Sequence, residues 1–456
     1  MMLSKSDYMM FLKQPAWLWL KKNDPKKLPP VDENTQTLFD AGHQFEPFAE
    51  SLFPEGATLG FSDYSEYLSL PQRTQDAIKN GTQVLFQPRF EWEDFTCICD
   101  IVSFVEDNEV DLYEIKASTS AKVEHEFDLA FQTAVLEGNG LKVRNIYVIH
   151  VNNQYVRNGA IEADKITPTE DVTTKVRKRS EATAKYMPLA LATAQQKSMP
   201  DPSPDLAKLG SKKSWLQVYE VIVPQTPKEY PADIVPTIQH DKVKNFLDGL
   251  NFPLYFLDYE TLMSLVPYFD GHRPYQQVPF QYSLNVLQSP DAELDWKEYL
   301  HCDNSNPARP LTEQLINHIG DSGTVLVWYE GFEKARNTEL GEMLPEYKDS
   351  MEAINNRVVN LMLPFKNKWY DDPRFEGSAS IKQVLPVMCP ELSYKDLGIQ
   401  EGGSAQRLWM EAVLDDKRAD QKEQILADLI EYCKLDTLAM VEIYRKLRVY
   451  VDKNTL

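Results

Sequence analysis

Two proline-rich breaks, residues 198–204 (SMPDPSP) and 224–236 with four prolines, most constrain how this 456-residue chain can fold. Proline lacks an N–H and fixes φ, so neither a helix interior nor a central strand runs through such a segment. On each side the hydrophobic pattern alternates between helical and strand periods, as expected of α/β (α+β) layer domains. The boundary is expected near 235, giving 1–160, a helical, basic and Pro-rich continuation and connector over 161–235, and 236–456.

In the first half, apolar residues recur at helical spacing from Ser4 to about Leu52. Strands are predicted over 82–95 and 96–105, a turn at 106–109, a returning strand over 110–117, a helix near 126–137 and a strand over 145–151. Asp100 ends the strand CICD, and Glu114-Ile115-Lys116 follows across the turn. Side chains two apart on a strand share a face, so Glu114 and Lys116 project together, and hairpin pairing can bring Asp100 beside them. Two carboxylates and a lysine on one face suit metal-assisted phosphodiester hydrolysis; the plain alternative is an exposed hairpin face.

These residues, with GHQFE at 42–46 and Gln132 in DLAFQTAVLEG, resemble the PD-(D/E)XK nucleases of the RecB-like type. The resemblance implies a restriction-endonuclease-like core. In it Glu46, Asp100, Glu114 and the Ile115 carbonyl would bind Mg²⁺ or Mn²⁺, Lys116 would assist catalysis and Gln132 would orient the site. His43, one turn before Glu46, could join it or simply lie on the helix surface. Relatives of this kind often carry cysteines for an iron–sulfur cluster. This chain has no Cys between Cys99 and Cys302, so no cluster is expected.

In the second half, strands are predicted at 254–257, 280–287, 295–301 and 324–329, with helices at 311–319, 332–343 and 422–447. Asp258 and Glu260 lie two apart at the end of an apolar strand. Tyr432 and Asp436 are one helical turn apart on a long helical stretch, and Glu333 stands where VLVWYEGFEK passes from strand to helix. The ordered set resembles the DEDD exonucleases of the RNase H-like fold, in the variant with a tyrosine (DEDDy). That likeness implies a mixed-sheet 3′–5′ exonuclease domain whose Asp258, Glu260, Glu333 and Asp436 bind two metals, with Tyr432 positioning water. A glutamate at 333 stands where that family has aspartate; Glu330 and Asp372 are fallback positions. The wider stretch 250–450 resembles an uncharacterised bacterial domain often fused behind RecB-like nucleases, in which the position of Asn360 is often Asp.

Net charge enters as a counter-argument: 69 acidic against 48 basic residues give −21, whereas nucleic-acid proteins are usually basic. Yet 171–215 carries nine basic groups against four acidic ones. Lys175, Arg177, Lys178, Arg179, Lys208, Lys212 and Lys213 are the expected phosphate contacts there, beside Lys185 and Lys197. A second group, Lys366, Lys368 and Arg374 with Trp369 and Tyr370, could stack on unpaired bases or be a solvated face. No apolar run approaches a membrane span, and five scattered cysteines suit a reducing cytoplasm. The chain is thus expected to be a cytoplasmic nuclease with two active sites, acting on DNA, single-stranded or end-bearing, and the resemblance implies a setting in bacterial or phage DNA repair or defence. RNA hydrolysis and a catalytically silent nucleic-acid-binding scaffold are the alternatives.

Overall fold

The structure, a computed structural model, describes residues 1–452 apart from 107, 225, 227 and 232. The expected turn at 106–109 and connector at 224–236 therefore lie partly outside the described residues. The chain is α+β, with mixed sheets and many helices, in two compact units. One comprises Met1–Pro227 with Leu265–Pro274, the other Lys228–Ser264 with Tyr275–Leu456. Residues 161–227 are thus part of the first unit. Helix Ser180–Gln195 puts Met187, Ala190 and Ala194 into its main core, and Trp215 of helix Lys212–Ile222 packs with Ala16 and Leu20. Leu265–Pro274 is held by Arg157, which donates to the carbonyls of Pro267 and Tyr268 at 2.7 Å each.

The first unit begins with helix α1 (Lys5–Lys13), started by a capping box. The Asp7 N–H donates to Ser4 Oγ at 3.2 Å, and the Ser4 N–H donates to Asp7 at 2.9 Å. Helix α2 spans Glu33–Glu50. The main sheet runs in the order β1 (Ala57–Thr58), β2 (Val84–Phe86), β3 (Ile101–Glu106), β4 (Glu109–Ile115), β5 (Lys142–Ile149) and β6 (Thr169–Asp171). β4 and β5 are parallel, which requires a crossover, and helix α3 (Val123–Gly138) supplies it. Val110 and Leu112 of β4 join the core with Leu129 and Leu136 of α3, while Tyr113 and Ile115 pack on the opposite face with Val84 and Ile101.

Both long strands predicted over 82–105 are broken. Gln87 has φ 56° and precedes Pro88, so the chain leaves the main sheet after Phe86. Arg89–Trp92 and Phe95–Ile98 form a smaller sheet with Leu3–Ser4, and the chain re-enters the main sheet at Ile101. Asp100 sits at this crossing.

The second unit carries a five-stranded sheet built from β7 (Leu254–Met263), β8 (Gln277–Leu287), β9 (Leu294–Leu300), β10 (Thr324–Val327) and β11 (Val358–Asn360). The spatial order is β9-β8-β7-β10-β11, with β7, β10 and β11 parallel and β8 antiparallel to both its neighbours. Helix α4 (Glu330–Met343) follows β10; α5 (Ile381–Met388), α6 (Gly402–Trp409) and the 31-residue α7 (Lys422–Asp452) come later.

Alternation along β7 separates its two faces. Leu254 and Phe256 join the core that holds Met440, Ile443 and Tyr444 of α7, while Tyr255, Leu257 and Tyr259 join the core holding Leu340 of α4. Polar contacts then fix the register of α7 on β8. Asn285 donates to Thr437 Oγ1 at 2.8 Å, Ser283 and Thr437 share a hydroxyl bond at 2.7 Å, and Gln281 donates to the Leu429 carbonyl at 2.9 Å. The side chains of Gln281, Ser283, Asn285 and Thr437 are all buried. Thr437→Val keeps the volume but strands the buried Asn285 amide and leaves Ser283 only its bond from Trp296, so it should cost about 1–3 kcal/mol. Thermal unfolding will show this as a lower melting temperature; an unchanged one would mean that the apolar face alone seats α7.

Candidate functional site

Each unit gathers buried carboxylates in one place. In the first, Glu114 continues the face of β4 that carries Val110 and Leu112, so it points toward α3. There Gln132 Nε2 donates to Glu114 Oε2 at 2.7 Å and to Asp128 at 3.0 Å. Lys116 Nζ lies 2.6 Å from Glu114 Oε1 and 3.0 Å from Asp128. Asp100 accepts the Ile115 N–H at 2.7 Å. The resulting cluster contains Asp100, Glu114, Ile115, Lys116 and Gln132, as the sequence led us to expect.

Two members were not expected. Lys5 Nζ lies 2.8 Å from Glu114 Oε1, because Leu3 and Ser4 pair with Phe95 and Thr96 and thereby deliver α1 to the sheet crossing. Asp128 is one helical turn before Gln132, and that spacing on α3 was a usable signal. Glu46 reaches the same neighbourhood from α2: burial raises its pKa, and the charge of Glu114 adds to the rise, while His43 and Lys5 oppose it.

Burial first, then the Glu114 charge, lifts Asp100 to about 7. Asp128 goes the other way: burial would raise it, but Lys116 and Lys5 outweigh burial and hold it below the ordinary range. Burial would likewise lower Lys116, yet Asp128 and Glu114 keep it firmly protonated. His125, buried at the start of α3, is pushed down to about 4 by burial and then by Lys116.

In the second unit, Asp258 and Glu260 follow Leu254 and Phe256 on the α7 face of β7. They lie within the strand, not at its end, since pairing with β8 continues to Met263 across an irregularity after Glu260. Tyr394 donates to Asp436 at 2.5 Å, and the Tyr432 hydroxyl also holds Asp436. Ligand atoms of Asp258, Glu260 and Cys433 lie within 4.8 Å of one another. Burial and then the charge of Asp436 push both Asp258 and Glu260 well above the ordinary carboxylate range. Asp258 also feels Glu260 and Glu333. Burial lifts Glu333 to about 8 and Asp436 to about 6, the latter restrained by Tyr394.

Glu333, on the first turn of α4, therefore lies close enough to Asp258 for its charge to be felt there. The fallback positions are tied elsewhere: Glu330 pairs with Lys334 at 3.0 Å, and Asp372 pairs with Arg374 at 2.6 Å. Asn360 is buried and accepts the Met362 N–H at 2.9 Å. Lys382 of α5 is a further unexpected member, its ammonium 5.6 and 5.8 Å from the ring centres of Tyr394 and Tyr432. It also pulls down the pKa of Glu260 and Asp436.

The donors suit a divalent cation. Hard carboxylate oxygens cluster, and Glu333 Oε2 is buried without a hydrogen-bond partner, so an oxygen-seeking ion would satisfy it. Asp258 and Glu260, whose ligand atoms lie together, are the residues that could hold it here, with Glu333 and Asp436 close enough for their charge to act on Asp258; among the described residues the first unit has no comparable group of three ligand atoms.

Four of the nine basic groups of the expected patch pair with carboxylates of their own unit. Lys175 pairs with Glu170, Arg177 with Glu137, Arg179 with Glu126 and Lys212 with Asp205, all at 2.7–2.8 Å. Lys178, Lys208 and Lys213 are exposed. The second basic and aromatic group is no stacking platform: Tyr370 is buried in the core, Trp369 packs against it, and Arg374 is tied to Asp372. Among the described residues no helix is long and apolar enough to cross a membrane.

Raised carboxylates make a falsifiable pH signature. A carboxyl with a higher pKa in the folded state binds more protons there, so stability falls as pH rises. Without metal, the melting temperature should fall between about pH 6.5 and 8, above the span in which His125, held neutral by burial, gains stability as pH rises and up to the value of Glu333. Added Mn²⁺ should raise it, and more so at the upper end. Melts in EDTA and in Mn²⁺ across that range will show whether it does; a Mn²⁺ effect that vanishes at high pH would refute cation binding here.

Residues 255–380 match the family model described as a domain of unknown function (DUF2779). This window includes Asp258, Glu260 and Glu333 but stops short of Lys382, Tyr394, Tyr432 and Asp436. The chain is 25% identical over 236 residues to the uncharacterized protein MG366 of Mycoplasma genitalium, covering 47% of this chain and 35% of that protein. It is 26% identical over 223 residues to the MG366 homolog of Mycoplasma pneumoniae (44% and 33%). Over 221 residues it is 24% identical to the uncharacterized protein UU173 of Ureaplasma parvum (43% and 31%). The matched region spans about a third of the length of these curated relatives. Neither the family description nor the relatives' names state an activity.

Proposed function

We propose that the chain is a metal-dependent nuclease that hydrolyses phosphodiesters of nucleic acid, DNA foremost, at two carboxylate centres. The observation that carries this reading is the convergence of Asp258, Glu260, Glu333 and Asp436 from three separate elements, with two tyrosines and a lysine around them. Burying like charges together is costly, and such clusters mark functional sites more often than structural ones. Likeness to RecB-like PD-(D/E)XK and DEDDy nucleases supplies the reaction. The few scattered thiols fit a cytoplasmic setting.

Mg²⁺ or Mn²⁺ held by these oxygens would supply the positive charge that neutralises the phosphate. Water attacks phosphorus, the ester P–O bond breaks and the departing oxygen takes a proton. In the second unit Tyr432, beside Asp436, orients the attacking water. Lys382 presents an exposed ammonium over both tyrosine rings, placed to meet phosphate. In the first unit Lys116 stays protonated, so it acts as a donor to developing negative charge and not as a base. Gln132 fixes the orientation of Glu114.

One observation favours a second reading, a nucleic-acid-binding scaffold with silent sites: Lys5 and Lys116 together already satisfy Glu114 Oε1. End-labelled single- and double-stranded DNA and RNA, incubated with Mn²⁺ or EDTA, separate the two. Lys116→Ala and Asp258→Ala should each abolish one cleavage activity, lowering its rate at least about a hundredfold. The double variant should cleave nothing. A double variant as active as the parent would sink both site assignments, and binding without cleavage by the parent would support the scaffold.

A further inference from the structure

One thiol and two buried oxygens around the second unit's centre are left unexplained by a site of carboxylates alone. Cys433 lies on α7 three residues before Asp436, so the two share a helix face. Its thiol is fully buried and donates weakly to the Asp258 carbonyl at 4.0 Å. The sulfur and one carboxylate oxygen each from Asp258 and Glu260 all lie within 4.8 Å of one another. Glu260 on β7 stands directly opposite Gln281 on β8, so their side chains share the face that α7 covers. Gln281 is 1% exposed; its Nε2 donates to the Leu429 carbonyl, one turn before Cys433, and its Oε1 has no partner among the described residues. Glu333, whose charge Asp258 feels, is 4% exposed, and its Oε2 is likewise unpartnered. Both orphans are acceptor oxygens, which a cation or the water bound to it would satisfy and an anion would not.

We propose that Cys433 is a third protein ligand of the second centre, and that the cation held there is of the zinc class, not Mg²⁺. Mg²⁺ takes oxygen ligands in near-ideal octahedral geometry and dehydrates reluctantly, so a thiolate gains it nothing. Zn²⁺ binds thiolate and carboxylate together, at about 2.3 Å to sulfur and 2.0–2.2 Å to oxygen, which sets tetrahedral ligands roughly 3.3–3.7 Å apart. Side-chain rotations bring atoms already within 4.8 Å of one another to that spacing. Two oxygens and one sulfur leave the fourth position of a tetrahedron open, as in a catalytic zinc centre and unlike a closed structural one. Gln281 Oε1, across from Glu260, supplies an acceptor for water in that position. On ligation the thiol gives its proton to solvent, and no electrons are exchanged. That the ion serves hydrolysis rests on the function proposed above; its binding does not.

The test titrates Co²⁺ into the full chain after EDTA treatment and removal of the chelator. A sulfur-to-cobalt charge-transfer band in the near ultraviolet reports thiolate ligation directly. The parent should develop this band, and Zn²⁺ should abolish it while a large excess of Mg²⁺ does not. Cys433→Ser should lose the band and weaken Co²⁺ binding at least about tenfold, the least that loss of even an outer-shell partner costs. Asp258→Asn should weaken the band too, whereas Cys302→Ser, at an exposed thiol, should leave it unchanged. A parent without the band, a band that survives in Cys433→Ser, or displacement of Co²⁺ by Mg²⁺ as readily as by Zn²⁺ overturns the proposal. Should Cys433→Ser fail to fold, Asp258→Asn decides in its place, and a band of parental strength there is the refuting result. Sulfur ligation in a chain that cleaves no nucleic acid with any cation keeps the site and sinks the hydrolytic reading. Cleavage that Asp258→Asn abolishes, in a parent without the band, does the reverse.

Discussion

Carboxylates brought together away from water repel one another, and each also loses its hydration, so a fold that gathers them must supply compensation nearby. The two units do this differently. In the first, the ammonium groups of Lys5 and Lys116 stand directly on Glu114, and Lys116 also reaches Asp128. In the second, hydroxyl hydrogen bonds hold Asp436 while Lys382 acts from over the tyrosine rings, and Asp258, Glu260 and Glu333 are left well above their ordinary range. The first cluster is balanced by the protein's own cations. The second retains an unmet demand for positive charge, which is why the proposed function leans on it most.

The scaffolding behind each cluster answers this demand. A helix that delivers a carboxylate to a strand must be fixed in rotation as well as in position. On α7 an apolar stripe of Met440, Ile443 and Tyr444 supplies position, and Thr437, clasped by Ser283 and Asn285, supplies register. On α1 the Ser4–Asp7 capping box sets where the helix begins, and pairing of Leu3 and Ser4 with a strand sets where it lies. Both arrangements spend buried polar groups, and each group is satisfied by a specific partner.

Much of the fold and most of the site were legible in the sequence. Alternating Val110, Leu112 and Glu114 declared a strand face, and Asp258-Tyr259-Glu260 did the same. Helical spacing paired Tyr432 with Asp436. Illegible were the break at Gln87 and Pro88, where one apparent strand serves two sheets, and the entry of Lys5, Lys382 and Tyr394. None of the three has a local spacing that ties it to its cluster: Lys5 meets Glu114 across 109 residues of chain, and Tyr394 meets Asp436 across 42. In the basic run at 171–215 the charge is visible in the sequence, but Glu137 and Glu126, which pair with Arg177 and Arg179, lie elsewhere in the chain.

By itself the sequence determined the class of fold, the alternation of strands and helices, and which carboxylates share a local face. Those properties depend on residues a few positions apart, where backbone geometry alone decides direction. Only the tertiary structure decided which distant side chains complete each cluster, that the chain divides at 227/228 with 265–274 returning to the first unit, and that Cys433 stands beside Asp258 and Glu260. Those are long-range choices, made by packing of apolar faces and pairing of buried charges, and no local spacing encodes them.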